Sequence, residues 1–150
     1  MIRIMFVCLG NICRSPMAEF VFKDMLEKEN ASGEFLVASS AVSAEELGNP
    51  VYPPARAELK KHGISSDGKY AVQLKCSDYD KYDLFVCMDE SNVRAVKRLF
   101  SGDEQNKVKL LLSYAGENRG VSDPYYTRAF DVAYDDVVKG CAALLKCVKE

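Results

Sequence analysis

The chain has 150 residues, a length that predicts one domain, 1–150, able to bury about two-thirds of the surface of the unfolded chain. Apolar residues make up 48% and charged residues 28%, and the formal net charge is −2, so neither nucleic acid nor an anionic membrane is expected as a partner. No apolar run approaches the roughly 20 residues of a membrane span and no secretory signal opens the chain, which predicts a cytoplasmic protein.

The cysteine and histidine content gives no support for a disulfide framework or a metal site. Six cysteines are present, but a chain of this length can fold on its hydrophobic core alone. The only histidine, His62, lies at a predicted helix end, where it is expected to interact with the helix dipole or to pack. No two cysteine pairs have the spacing of zinc ligands, so we expect neither a metal nor a cofactor.

Strand and helix patterns alternate along the first half of the chain. The apolar runs at residues 2–7 and 35–38 predict strands. The helix after the first strand is expected to take Pro16 as its first residue, where a missing N–H costs nothing. The second helix is expected to begin at Pro54, run through Leu59 and stop at His62-Gly63, and Ser77 is expected to cap a short helical turn further along.

The second half of the chain repeats this alternation. Residues 83–89 predict a strand that is apolar on both sides and ends in a helix-capping cluster at residues 89–92. A fourth strand is expected at residues 108–112 and a long final helix at residues 130–148. The third helix is expected to bury Val93, Val96, Leu99 and Phe100.

This alternation predicts the fold class. Strands that are joined through helices form right-handed crossovers, and these give a parallel sheet. We therefore expect an α/β fold, a doubly wound, four-stranded parallel sheet with helices on both faces. Sheets of this kind bind ligands at the carboxyl ends of their strands.

The loop at residues 8–15 carries the strongest functional signal. It joins the first predicted strand to the first helix, so its N–H groups and the positive end of the helix dipole should converge on one anion. Gly10 and Asn11 are residue types that tolerate positive φ, which lets the loop curl. Among the six cysteines, only Cys8 has an arginine, Arg14, six positions later.

These residue types suit nucleophilic chemistry on a phosphate group. The helix terminus and the guanidinium would stabilise a thiolate at Cys8, Arg14 matches two phosphate oxygens, and Ser15 can hydrogen-bond the sulfur. The alternative is that Cys8 is an ordinary buried cysteine. For Cys13, two readings stay open: a reversible disulfide with Cys8 that acts as a redox off-switch, or packing behind the loop.

A second loop, at residues 120–126, is a candidate proton donor. Asp123 is followed by Pro124, which fixes the backbone, and by Tyr125 and Tyr126, whose rings could wall a cleft. A polar surface turn is the alternative. Other candidates for the pocket rim lie in the loop after the second strand, which could equally be an ordinary surface loop: Glu45, Glu46 and Tyr52.

Three motifs together resemble those of the low-molecular-weight protein tyrosine phosphatases. They are Val-Cys-Leu-Gly-Asn-Ile-Cys-Arg-Ser-Pro at 7–16, Cys-Met-Asp-Glu-Ser-Asn at 87–92 and Asp-Pro-Tyr-Tyr at 123–126, and the similarity covers essentially the whole chain. The resemblance implies phosphotyrosine-containing proteins as substrates, inorganic phosphate as product and inhibitor, no metal and no cofactor. We also expect a monomer.

The resemblance also implies a phosphocysteine mechanism. Cys8 would attack phosphorus, the Arg14 side chain would hold the phosphoryl oxygens, and Asp123 would protonate the phenolate and then activate water. The remaining phosphate-binding or supporting positions that it implies are Leu9, Gly10, Asn11, Ile12, Cys13, Ser15 and Ser39.

Two regions depart from the family pattern. Residues 43–46 hold no aromatic side chain, for which Tyr52 could substitute from further on. The histidine that usually follows the His-Gly-Ile motif and supports the asparagine is absent, and Lys69 and Tyr70 occupy that region. These departures concern substrate preference and loop rigidity.

Three related functions are alternatives. An arsenate reductase would need further relay cysteines, for which Cys76 and Cys87 are candidates. The protein arginine phosphatases carry threonine in place of Ile12, so Ile12 favours phosphotyrosine. The third alternative is an inactive phosphate-binding module, which the presence of Cys8, Arg14 and Asp123 disfavours.

Overall fold

The computed structural model describes residues 1–149 and confirms the predicted fold class. All three strand pairings are parallel, and the sheet order is β2-β1-β3-β4. The strands are β1 Ile2–Cys8, β2 Phe35–Ala41, β3 Leu84–Cys87 and β4 Val108–Leu110. The helices are α1 Arg14–Lys28, α2 Pro53–Lys61, α3 Glu90–Leu99, α4 Pro124–Thr127 and α5 Phe130–Lys149.

Helices cover both faces of the sheet. Helices α1, α2 and α5 contact one another on one face, where the larger apolar core includes Phe6, Phe22 and Leu144. On the other face, α3 and a 3-10 helix, Cys76–Asp80, lie over a smaller core around Phe85. Among residues 1–149, no helix is long and apolar enough to cross a bilayer.

The sheet register brings three loops to one edge. At the end of β1, Cys8 pairs with Ala41 of β2, and Val7 pairs with Cys87 of β3. The chain segments that leave β1, β2 and β3 therefore start side by side. This edge is where a parallel sheet is expected to hold its ligand.

Two boundaries in the first half of the chain differ from the prediction. Helix α1 begins at Arg14, so the expectation that Pro16 is its first residue was wrong. Pro16 is the third helical residue, which is tolerated because none of the first four N–H groups has an intrahelical acceptor. Strand β2 extends beyond residue 38, since its parallel pairing with β1 continues to Ala41 and buries Ser39 and Ser40.

The second half also contains local corrections. Strand β3 ends at Cys87 because Asp89 is the N-cap of α3, and β4 ends at Leu110 because Leu111 begins a 3-10 turn. Leu99 was expected inside but is 36% exposed at the last turn of α3. Ser77 does not cap the turn over 76–80, whose Asp78 carboxylate instead accepts from the N–H of residue 75.

Candidate active site

A cavity of about 180 Å³ opens at the carboxyl edge of the sheet. The loop after β1 forms its floor, the loop after β2 one side and the start of α4 the other. Twelve residues line it: Cys8, Leu9, Gly10, Ile12, Cys13, Arg14, Ser43, Glu45, Glu46, Asp123, Tyr125 and Tyr126.

The peptide units of the loop after β1 point their N–H groups toward this cavity. The carbonyl oxygens of Cys8, Leu9 and Ile12 accept hydrogen bonds of 2.8–3.1 Å from backbone after β2 and before α2. In a planar trans peptide the next N–H points the opposite way. The N–H groups of Leu9, Gly10 and Cys13 therefore face away from those outer partners.

The Cys8 sulfur lies at the centre of this loop. It is 2.9 Å from the Ser15 hydroxyl and accepts a 3.3 Å hydrogen bond from the backbone N–H of Asn11. Helix α1 starts at Arg14, and its positively polarised end faces the loop with no acidic side chain in the first turn. These groups all favour an anion held above the sulfur.

Asn11 holds the loop in shape from behind. Its φ of 59° is left-handed, a region that asparagine tolerates better than most residues. Its side-chain N–H groups donate to the hydroxyls of Ser15 and Ser39 at 2.8 and 2.9 Å, and its carbonyl oxygen accepts from the N–H of Val72 at 3.1 Å. Asn11 and Ser15 are buried and do not line the cavity, as expected for supporting residues.

Arg14 lies where the loop after β1, the residues after β3 and the segment that carries Asp123 meet. Its Nη1 donates to Asp89 at 2.7 Å and to the carbonyl oxygen of Val121 at 2.8 Å, and its Nη2 lies 3.4 Å from Asp123. Burial opposes the charge of this guanidinium, but Cys8, Asp89 and Asp123 outweigh burial and raise the pKa of Arg14. The side chain is thus a fixed cation.

The sequence did not reveal the second role of Asp89. One of its carboxylate oxygens caps α3, as predicted, by accepting from the N–H of Asn92 at 2.8 Å, while the other binds Arg14. Gly120 packs against it so closely that a Cβ there would be 2.6 Å from the Asp89 Cβ. A glycine is required at this contact, but nothing in the sequence near it indicates that Asp89 binds Arg14.

Asp123 lies beside Arg14, on the cavity wall opposite the loop after β2. It is the N-cap of α4 and accepts from the N–H of Tyr125 at 3.1 Å. Tyr125 and Tyr126 line the cavity, as expected. Tyr52 does not: its ring packs behind Tyr125, with ring centroids 5.1 Å apart. It therefore supports a wall and is not the substitute for the missing pocket aromatic.

The loop after β2 places two carboxylates at the cavity rim. Glu45 and Glu46 both line it, and the Glu46 Cγ would lie 3.3 Å from a Cβ at Gly10, which leaves little room there for a side chain. Cys13 also lines the cavity. Burial, followed by the nearby Cys8, raises the pKa of the Cys13 thiol to about 12, so Cys13 stays protonated at neutral pH.

Comparison with known families decides the identity of this site. The family described as low molecular weight phosphotyrosine protein phosphatase matches residues 3–150. The chain belongs to this family. It is therefore a hydrolase of the low-molecular-weight protein-tyrosine-phosphatase class, and the resemblance stated from the three motifs is confirmed.

Relatives of this phosphatase match along nearly their whole length. The low molecular weight protein-tyrosine-phosphatase YfkJ of Bacillus subtilis is 35% identical over 100% of this chain and 97% of its own. The crystal structure of YfkJ aligns with a TM-score of 0.96 over 99% of this chain and 95% of that one. The Rattus norvegicus low molecular weight phosphotyrosine protein phosphatase is 40% identical over 95% and 93% of the two chains.

A more distant structural relative differs in its named activity. The crystal structure of a drosophila arginine phosphatase aligns with this phosphatase with a TM-score of 0.90 at 27% identity, over 98% of each chain. The arsenate reductase alternative lacks structural support, because neither candidate relay cysteine lines the cavity. Cys87 is buried within β3, where burial raises the pKa of its thiol, and Cys76 is exposed on a 3-10 helix.

Proposed function

We propose that this phosphatase hydrolyses phosphotyrosine in proteins, and small aryl phosphates, through a phosphocysteine intermediate. One observation carries the proposal: the Cys8 sulfur, the Arg14 guanidinium and the Asp123 carboxyl group line a single cavity, with Arg14 and Asp123 3.4 Å apart. A nucleophile, an oxyanion partner and a proton donor are the groups that this reaction requires.

In the first step, the Cys8 thiolate attacks phosphorus. An S–P bond forms as the P–O bond to the aryl group breaks, and Asp123 gives its proton to the departing phenolate oxygen. The inward N–H groups of the loop and the Arg14 side chain stabilise the charge on the equatorial oxygens. The Ser15 hydroxyl, 2.9 Å from the sulfur, can hydrogen-bond the thiolate.

In the second step, water attacks the phosphocysteine. Asp123, now a carboxylate, takes a proton from the water as the new O–P bond forms and the S–P bond breaks. Inorganic phosphate leaves and the Cys8 thiolate is restored. Phosphate binds the same donors as the substrate, so we expect it to inhibit competitively.

The walls of the cavity support an aryl substrate. Tyr125 and Tyr126 offer aromatic surface against which a phosphotyrosine ring can pack. The carboxylates of Glu45 and Glu46 favour a cationic group on the substrate, so phosphoarginine is the second candidate substrate. Because these two carboxylates lie on the rim of the cavity and not on its floor, they suit a basic residue next to the phosphotyrosine in a protein substrate. We therefore keep phosphotyrosine as the main substrate.

The proposal extends to the setting of the enzyme. All six cysteines are free, which suits a reducing compartment such as the cytoplasm. We propose that the protein acts there as a monomer of one domain.

The deciding experiment compares phosphotyrosine peptide, phosphoarginine peptide and arsenate side by side. We expect turnover of phosphotyrosine, a Cys8→Ser variant at least about 1,000-fold slower, and retained binding of inorganic phosphate by that variant. Inactive wild-type protein, or a Cys8→Ser variant that still turns over, would overturn the mechanism. Faster turnover of phosphoarginine would assign the second candidate.

A further inference from the structure

A series of buried, hydrogen-bonded polar side chains extends behind the proposed phosphate-binding loop, residues 8–15, and away from the cavity. Its first link is Asn11, which donates to the Ser39 hydroxyl at 2.9 Å. Ser39 in turn donates to the Glu19 carboxylate at 2.6 Å. Both Ser39 and Glu19 are buried, at 1% and 5% exposure, so a carboxylate lies deep beneath the loop and needs compensation.

Lys69 occupies the far end of this series. Its Nζ donates to the backbone carbonyl of Ser39 at 2.9 Å and lies 3.7 Å from Glu19 Oε1. Only 12% of its side chain is exposed. Burial lowers the pKa of Lys69 from its ordinary value, and the neighbouring Glu19 partly offsets this effect. In the sequence, Lys69 lies where the family's supporting histidine is absent.

Lys69 also fixes the segment that reaches Asn11 from the other side. Three residues after it, Val72 donates its N–H to the Asn11 side-chain oxygen at 3.1 Å and accepts from the N–H of Ala41 at 2.8 Å. Lys69 therefore joins β2, which carries Ser39, to the segment that carries Val72. Ser39 and Val72 hold the donor and the acceptor group of the Asn11 side-chain amide.

We propose that Lys69 is a positioning residue for catalysis: with Glu19, it fixes Ser39 and Val72 and through them the Asn11 side chain that shapes the phosphate-binding loop. The inference rests on the proposed function, since it concerns the same loop. It predicts that losing Lys69 misaligns the inward N–H groups without removing any group that touches the substrate.

A matched control exists on the same carboxylate. Lys23 binds the other oxygen of Glu19 at 2.6 Å, but it is half-exposed and, among the described residues, its ammonium group makes no hydrogen bond to Ser39 or to the segment before Val72. Lys69→Met and Lys23→Met each remove one ammonium group from Glu19, and each leaves the other lysine paired with it. Only Lys69→Met removes the link to the loop.

The test measures kcat/KM for p-nitrophenyl phosphate and the Kd for inorganic phosphate in both variants. We expect Lys69→Met to lower kcat/KM about tenfold and to weaken phosphate binding, with Lys23→Met within about twofold of wild type. Thermal unfolding midpoints verify that both variants fold. If Lys69→Met does not fold, Lys69→Gln, uncharged and one atom shorter, replaces it with the same expected loss.

A double-mutant cycle with Asn11→Gly tests the route of the effect. Glycine keeps the positive φ of this position but has no side chain to be positioned. We expect Lys69→Met to cost less than about twofold in the Asn11→Gly background. Equal losses in both backgrounds, or equal effects of the two lysine variants, would overturn the proposal. Inactive wild-type protein would instead refute the proposed function.

Discussion

The two segments to which we assign the chemistry meet at one cavity but differ in how they are held. The phosphate-binding loop, residues 8–15, is fixed from behind, with Asn11, Arg14 and Ser15 each at most 3% exposed. The segment that carries the proposed acid, which we call the acid loop, comprises Asp123 and the start of α4 and lies on the surface, where Tyr125 and Tyr126 are 40% and 74% exposed. The difference teaches that, in the proposed mechanism, the oxyanion-binding groups are preorganised in the core, while the position of the proton donor depends on a few surface contacts.

Among the variants that compare the two segments, the largest expected effect depends on the leaving group of the substrate. Asp123→Asn keeps an N-cap for α4 but cannot donate a proton. We expect kcat/KM for phenyl phosphate to fall about 100-fold, and kcat/KM for p-nitrophenyl phosphate to fall less than about tenfold, because p-nitrophenolate leaves without a proton. The ratio kcat/KM reports the steps up to departure of the leaving group and excludes the later attack of water, in which Asp123 acts on the same phosphocysteine for both esters. Steady-state kinetics on the two esters measure this split. Equal losses would exclude Asp123 as the acid.

A smaller effect, with a different pattern, is expected from the phosphate-binding loop. Asn11→Gly removes the hydrogen bonds to Ser15 and Ser39, so kcat/KM should fall about tenfold and equally for both esters, which share the same phosphoryl group. Asn11→Ala must also hold a φ of 59°, which costs about 1 kcal/mol more in the free energy of unfolding. Denaturant unfolding compares the two; a more stable alanine variant would contradict this account.

The smallest effect tests whether the surface contacts of the acid loop matter. Arg128, just after α4, donates to the Tyr52 hydroxyl at 2.8 Å and lies over the rings of Tyr52 and Tyr125. Arg128→Met should lower kcat for phenyl phosphate about two- to threefold, since exposed contacts of this kind are weak. Arg56→Met, which breaks an exposed ion pair with Asp67 away from this contact, is the control and should leave the rate unchanged. Identical rates in the two variants would mean that Arg128 does not hold the acid loop.

Sequence patterns could place the residues of the proposed phosphate-binding loop together because these residues are contiguous. The functional side chains lie within eight consecutive residues, from the end of β1 to the first turn of α1, so their spacing in the sequence indicates that they are close together: Cys8, Asn11, Arg14 and Ser15. The supports behind them do not: Glu19 and Lys69 come from α1 and from the irregular connection after α2, and only the tertiary fold brings them together.

The segment that carries Asp123 shows the same limit of prediction from the sequence. Tyr125 and Tyr126 were predicted at the cavity from their place beside Asp123, which is a local inference. Tyr52 was expected to line the pocket because an aromatic was missing from the preceding loop, but it stacks between Tyr125 and Phe130 instead. Composition cannot tell which face of an aromatic ring is covered by a neighbour distant in sequence.

The outward carbonyl groups of the phosphate-binding loop have a consequence for how the family can diversify. Because the main chain supplies the phosphoryl contacts in the proposed mechanism, the half-exposed side chain of Leu9 can change without altering the ligands of the anion. Exchange at Leu9 would change the lining of the cavity while the proposed reaction centre stays in place. Selectivity and reactivity are thereby encoded in separate atoms of the same few residues.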